Sequence, residues 1–356
     1  MRQVLASVTT DLATQTNEQL NLLSIKADTL ATHMAPSEWP DVLGRLRQHT
    51  KGASAGGFRQ LFISSVILRV KDHHLQHDLR LADELANIAS LNTSAHYTPT
   101  ELFLALENCR MVLQLHPLTV NQATLDRLLT CLCLVDVSTH HIDYPQRQVS
   151  QEQYGPRPED IYDELCMLLG VVLGRHRRRL SDRYHLLLPV MQMLLRCLFW
   201  PGRHTLQDRE RSAAATDLNA YGKRLPQWIR GAEQSLPPSS AEKFSRLASS
   251  ICNPTVSAAR SSRKHGHNQL NDETKRARLL AGQHMQYLVM EYARCSLDGQ
   301  ISPPVKDKLM PGMYSVLDSM DRELLRAANA AMDPSSRAIF KGLYDDFTRF
   351  GRWDKS

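Results

Sequence analysis

Arg175, Arg177, Arg178 and Arg179, with His176 inside the run, are the densest group of chemistry-bearing side chains in the chain. Guanidinium groups this close suit one task above others, holding phosphate or carboxylate oxygens through paired N–H donors. They also follow a long apolar pattern and so fall at a helix C-terminus, where the macrodipole favours cations without any ligand. The sequence supports both readings. A second basic stretch runs from Arg260 through Arg263 and Lys264 and resumes at Lys275, Arg276 and Arg278. It reads as a solvated loop entering a helix, or as a contact for RNA or nuclear import. No aromatic residues interleave with either run, which argues against base stacking.

Other constellations are weaker. Cys131, Cys133, His140 and His141 combine the usual structural zinc ligands. Cys131 and Cys133 lie two apart inside the apolar LLTCLCLVDV, however, so on a helix they point in different directions and read as core cysteines. His73 and His77 are one turn apart, as a metal pair requires, but the HExxH glutamate is missing, and with His74 they read as a polar helix face. No GxxxxGKS/T or GxGxxG occurs, and Asp345 and Asp346 read as solvated positions. The expectation is a protein with no catalytic, cofactor-binding or metal residues and no small-molecule substrate. An enzyme whose site is built from dispersed residues is the competing class.

The elements that must position these residues are helical. In 356 residues only 6% are aromatic, and the excess of Leu, Ala, Met, Arg and Gln favours helix over strand. The formal charge of +6 permits RNA contact without demanding it. Seven cysteines at wide, irregular spacing make no disulfide framework, so a reducing compartment is expected. Asp11, Glu18 and Asp28 interrupt the first thirty or so residues, so no signal peptide is expected in this stretch. No window approaches the roughly 18 apolar residues of a membrane span, so a soluble intracellular protein with no membrane partner is expected.

Taken in order, apolar stripes at helical period cover residues 2–35, a short stretch around Val42–Gln48, and a long pattern from Phe58 to about Leu91. Thr98, Pro99 and Glu101 have capping-box spacing, starting a helix that ends at His116–Pro117, and another runs from Gln122 to about Val137. Residues 138–157 have no apolar period and contain two Pro and one Gly, marking a boundary between an N-terminal helical region, 1–150, and a C-terminal domain, 158–356. Pro158 opens a helix to about Leu180, and Ser181 could cap the next, His185–Trp200, in which Pro189 predicts a kink. Ser240–Cys252 is a short helix, Ser257–Asp272 a basic loop, and about Glu273–Leu297 a helix. Pro311 and Gly312 predict a break between two short helices. Asp333 and Pro334 start the last helix, whose face of Ile339, Phe340, Leu343, Tyr344, Phe347 and Phe350 must dock on its predecessors. No repeat of fixed period is present. The fold expected is therefore all-α, an irregular helical array, solenoid-like in the manner of armadillo and HEAT proteins but without their regular sequence repeats.

The closing words of the chain, LMPGMYSVLDSM and SRAIFKGLYDDFTRFGRW, resemble the C-terminal domain of nucleolar pre-ribosomal RNA processing proteins of the Urb/Npa family, of the second (Urb-two) type. HLLLPVMQMLLRCLFWP (His185–Pro201) and TKRARLLAGQHMQYLVMEYARCSL (Thr274–Leu297) resemble earlier blocks of that domain, so the likeness spans roughly residues 160–353. It implies a non-catalytic scaffold in nucleolar assembly of the large ribosomal subunit and pre-rRNA processing. Its partners would be ribosome-assembly proteins, including an RNA helicase, with pre-ribosomal RNA as a further contact. Direct RNA binding through Arg175, Arg177, Arg178, Arg179, Arg263, Lys264, Lys275, Arg276 and Arg278 is the alternative.

Overall fold

The computed structural model describes residues 17–48, 56–91, 97–138, 156–180, 182–200, 224–230, 235–254 and 267–351. The described residues form an all-α array, with one isolated antiparallel bridge between Trp200 and Gln300. None of their helices is long and apolar enough to cross a membrane. The chain divides into two compact units, Met1–Val171 and Val172–Ser356, so the division falls inside a helix that begins at Pro158. Most of the linker expected at 138–157 lies outside the described residues.

The first unit contains α1 (Asn17–His33), α2 (Trp39–Gln48), α3 (Gly56–Arg69), α4 (Asp72–His77), α5 (Leu79–Ala89), α6 (Pro99–Leu115), α7 (Gln122–Ser138) and most of α8 (Pro158–Arg175). Its centre is α3 against α6. Phe62, Val66 and Ile67 face Leu102, Leu106 and Val112, all at most 2% exposed. The capping box at the start of α6 is present: Glu101 N–H donates to the Thr98 hydroxyl at 3.3 Å, and Thr98 N–H donates to the Glu101 carboxylate at 2.9 Å.

The continuous pattern expected from Phe58 to Leu91 is instead three helices. Asp78 accepts from Arg80 N–H at 2.9 Å and so starts α5 afresh, while Leu91 leaves it with φ at +57°. A turn needs only two or three residues, and an apolar period can carry on past it.

The second unit contains the 3₁₀ turn Arg177–Arg179, α9 (Tyr184–Cys197), the short α10 (Gln227–Arg230), α11 (Pro238–Cys252), α12 (His267–Asp298), α13 (Pro303–Ser319), α14 (Arg322–Ala331) and α15 (Pro334–Asp346), which ends in a π turn, Phe347–Gly351. α12 packs against α9, α13, α14 and α15, and α11 and α13 are the most intimate pair. α12 starts six residues before the expected Glu273, so the end of the presumed loop is helical. The expected cap Ser181 and most of 201–240 before α11 fall outside the described residues.

Pro311 does not break α13. An interior proline forfeits one backbone hydrogen bond at a cost of about 3 kcal/mol. Leu309 precedes it, and Met313, Val316 and Leu317 follow; all are at most 1% exposed, and each contributes about 1.5–3 kcal/mol if the helix continues. Packing therefore outweighs the break. Gly312 also has a different role from punctuation: a Cβ there would sit 2.6 Å from Ser245 Cα, so its missing side chain lets α11 and α13 touch backbone to backbone.

The terminal helix docks as expected. Asp333 accepts from the Ser335 and Ser336 N–H groups at 2.9 and 3.1 Å, and Phe340, Leu343 and Phe347 are buried. Phe347 meets the Tyr314 ring at 5.9 Å between centroids. Phe350, however, is 63% exposed, because the wider π turn rotates it off the apolar face that a regular α-helix would have continued.

Candidate interaction site

α11 and α13 run parallel. Ser245 lies against Gly312, the Ser249 and Ser315 hydroxyls are 2.9 Å apart, and the Cys252 thiol bonds with Ser319, an offset of 66 or 67 residues throughout. Two helix C-termini therefore end side by side. Each carries unsatisfied carbonyl oxygens and about half a negative charge.

Two arginines answer that charge. The Arg177 guanidinium donates to the Ser250 carbonyl and, at 3.1 Å, to the Ile251 carbonyl in the last turn of α11. Arg278, on α12, donates to the Asp318 carbonyl at 2.6 Å and to its carboxylate in the last turn of α13. Both guanidinium groups act electrostatically on the buried Cys252 thiol between them, which burial nevertheless pushes up to about 11. Cys109 in the first unit is pushed up to about 12, again chiefly by burial. Neither thiol is a nucleophile at neutral pH, because the thiolate is the reactive form.

This arrangement decides where the basic runs sit. Arg177 and Arg278 are half-buried and bound to the protein's own oxygens, whereas Arg175, Arg178, Arg179, Lys275 and Arg276 are exposed. Lys275 lies three residues before Arg278 on α12 and so borders the same face. Two runs almost a hundred residues apart thus meet at one end of the second unit. Arg263 and Lys264 lie outside the described residues. Tyr184, packed 5.7 Å from the His284 ring, is 6% exposed, so its ring is not open to the surface beside the charges.

The convergence went unread in the sequence, although one local signal pointed to it. Ser245 and Ser249 on α11, and Gly312, Ser315 and Ser319 on α13, recur at one-turn spacing as small-residue stripes suited to close helix contact.

The metal candidates are engaged otherwise. His74 accepts from Lys71 N–H at 3.2 Å and packs edge-on to Trp39, with ring centroids 5.2 Å apart. The Cys131 thiol faces the Leu91 carbonyl at 3.8 Å, while His140, His141 and the Cys133 side chain lie outside what is described. Among the described residues no group of three or more His, Cys, Asp or Glu is disposed to hold a metal.

Several clefts adjoin α15 in the second unit, two of them larger than 400 Å³ among those formed by the described residues. One, of about 490 Å³, has Phe199, Tyr292, Met310 and Leu343 along it, with Lys306 and Asp346 in its lining. The other, of about 450 Å³, contains the Arg224–Asp298 pair at 2.8 Å and the Glu291 carboxylate, paired with Arg196 at 3.2 Å.

A model of the Urb2/Npa2 family matches residues 104–356, extending well upstream of the resembling blocks and into α6. No curated protein and no solved structure matches the chain.

Proposed function

The chain belongs to the Urb2/Npa2 family, which places it in ribosome biogenesis, and from that premise we propose that it is a non-catalytic helical scaffold for assembly of the large ribosomal subunit in the nucleolus. Its work is to hold assembly proteins, an RNA helicase among them, on precursor particles during pre-rRNA processing. The observation that carries this reading is the docked terminal segment. The most specific words of the resemblance, 334–351, are spent on a buried seam of Phe340, Leu343 and Phe347 against earlier helices. That use of the residues builds a rigid surface. It leaves Lys341, Asp345 and Arg349 outward, as a platform for partners requires.

The test is affinity purification of the tagged chain from nuclear extract, together with imaging of its distribution. Recovery of large-subunit precursor RNA with assembly proteins, and a nucleolar signal, is the expected result. A purely cytosolic distribution, or purification without any ribosomal precursor, would overturn the proposal.

A further inference from the structure

We propose that the groove between α14 and α15 docks an acidic peptide segment of a partner protein, seating an apolar side chain of that segment between two rows of cations. This gives the scaffold's partner a chemistry, and it rests on the scaffold reading for there being a partner to hold.

The groove follows from how the two helices are joined. Only Met332 and Asp333 separate them, and the Arg337 guanidinium reaches back to donate to the Met332 carbonyl at 2.8 Å and the Ala330 carbonyl at 3.2 Å. Those bonds fix the corner, so the two walls stand at a set distance. The cavity, of about 370 Å³, is lined by Asn329 of α14 and by Pro334, Arg337, Phe340, Lys341 and Tyr344 of α15. Phe340 is its most buried apolar member at 6% exposed, and the Tyr344 ring stacks beside it at 6.4 Å between centroids.

Charge decides the occupant. Arg322, Arg326 and Asn329 recur at one-turn spacing and so share the flank of α14 that borders the groove, while Arg337 and Lys341, again one turn apart, make the facing flank. All four cations are exposed. The acids of these helices are placed differently. Asp321 and Asp333 cap the two N-termini, accepting from Leu324 N–H at 2.8 Å and Ser336 N–H at 3.1 Å. Glu323 is turned about 100° round α14 from Arg322, away from Asn329, and Asp345 stands one turn beyond Lys341. An acidic segment therefore meets opposite charge on both sides, and an apolar side chain inserted between the rows removes further surface from water. RNA fits less well, because the ring at the groove, Tyr344, already stacks on Phe340 and a phosphate backbone has no apolar group for the strip between the cations.

Fluorescence anisotropy of the full chain with a labelled peptide of about 12 residues, Glu and Asp interrupted by Leu and Phe, tests the assignment across a salt series. The variant R322A/R326A/K341A should bind at least about tenfold more weakly at about 50 mM salt, and its affinity should fall less steeply as salt rises. N329W, which fills the groove from α14 without changing its charge, should lose about fivefold or more. K26A/R45A/R127A removes the same charge from exposed positions of the first unit and should stay within about threefold of the parent. A second peptide with Ser in place of Leu and Phe should bind the parent at least about fivefold more weakly than the first. Circular dichroism melting confirms that the variants are folded.

No binding of the Leu/Phe peptide by the parent, equal losses in the two cation variants, or equal affinity for the Ser peptide would overturn the proposal. So would an oligouridylate of matched charge that binds as tightly and is lost in R322A/R326A/K341A, which would assign the groove to RNA. The scaffold reading is judged separately, by affinity purification of the parent. If the peptide fails to bind and the chain still purifies with assembly proteins, the groove assignment alone fails; if the peptide binds and the chain purifies without ribosomal precursor, the scaffold reading alone fails.

Discussion

The two units place an arginine in the interior in contrasting ways. In the first, Arg110 on α6 meets Glu164 on α8 at 2.5 Å, and the Glu164 side chain is only 1% exposed. Burial pushes the Glu164 carboxyl above its ordinary range, with Arg110 pulling it back. The second unit has a comparable pair in Arg196–Glu291, but it also turns arginines onto backbone. Arg177, Arg278 and Arg337 each donate to carbonyls at a helix C-terminus, Arg337 reaching Met332 at 2.8 Å and Ala330 at 3.2 Å. A carboxylate partner titrates and a carbonyl does not. The first device therefore makes stability depend on pH, while the carbonyl contacts of Arg177 and Arg337 hold over any pH at which the fold survives.

The largest test of this contrast removes Arg110. R110A leaves the Glu164 carboxylate buried without its cation, and the expected loss near neutral pH is about 3–5 kcal/mol in urea unfolding. For the parent chain the sign follows from linkage. Between the ordinary value near 4.5 and the raised folded value, the folded state keeps a proton that the unfolded state has released. Stability from this group is thus complete below about 4.5 and declines as pH rises through the folded pKa. R110A should widen that window and cost far less at low pH, and E164Q should flatten the dependence. A loss of the same size at both pH values would show that packing, not charge, is what Arg110 supplies.

G312V comes next. Its side chain must enter space occupied by Ser245, and overpacking of this kind costs about 3 kcal/mol, read as a lower urea midpoint. An unchanged midpoint would mean that α11 and α13 are not held as closely as their parallel register requires.

Smaller still is R177A, which strips the last carbonyls of α11 of a charged donor at about 1.5–3 kcal/mol, equally at low and neutral pH. R178A, one residue along and exposed, should stay within about 0.5 kcal/mol. Together the two split a single basic run into a structural half and a surface half, and equal effects on stability would erase that division. The smallest change is D333A, which removes the cap of α15 and should cost about 1 kcal/mol in thermal unfolding.

Several features were legible because their causes are local. Thr98 with Glu101 and Asp333 with Pro334 announce helix starts through hydrogen bonds that span three residues. The burial of Phe340, Leu343 and Phe347 follows from their helical spacing. Pro311–Gly312 misled for the opposite reason. Their local meaning is a break, and what overrides it is α11, nearly seventy residues away. Phe350 strayed because nothing in its neighbourhood announces the π turn that carries it outward.

By itself the sequence determined that the chain is helical, which segments start with caps, which faces are apolar, and, through its closing words, its family. Those are properties of spacing and side-chain type. The pairing of α11 with α13 was decided only in three dimensions, and with it which arginines turn inward and which face outward. A charge's role depends on the groups within a few ångströms of it, and the residues that come that close are selected by packing between helices far apart in the chain.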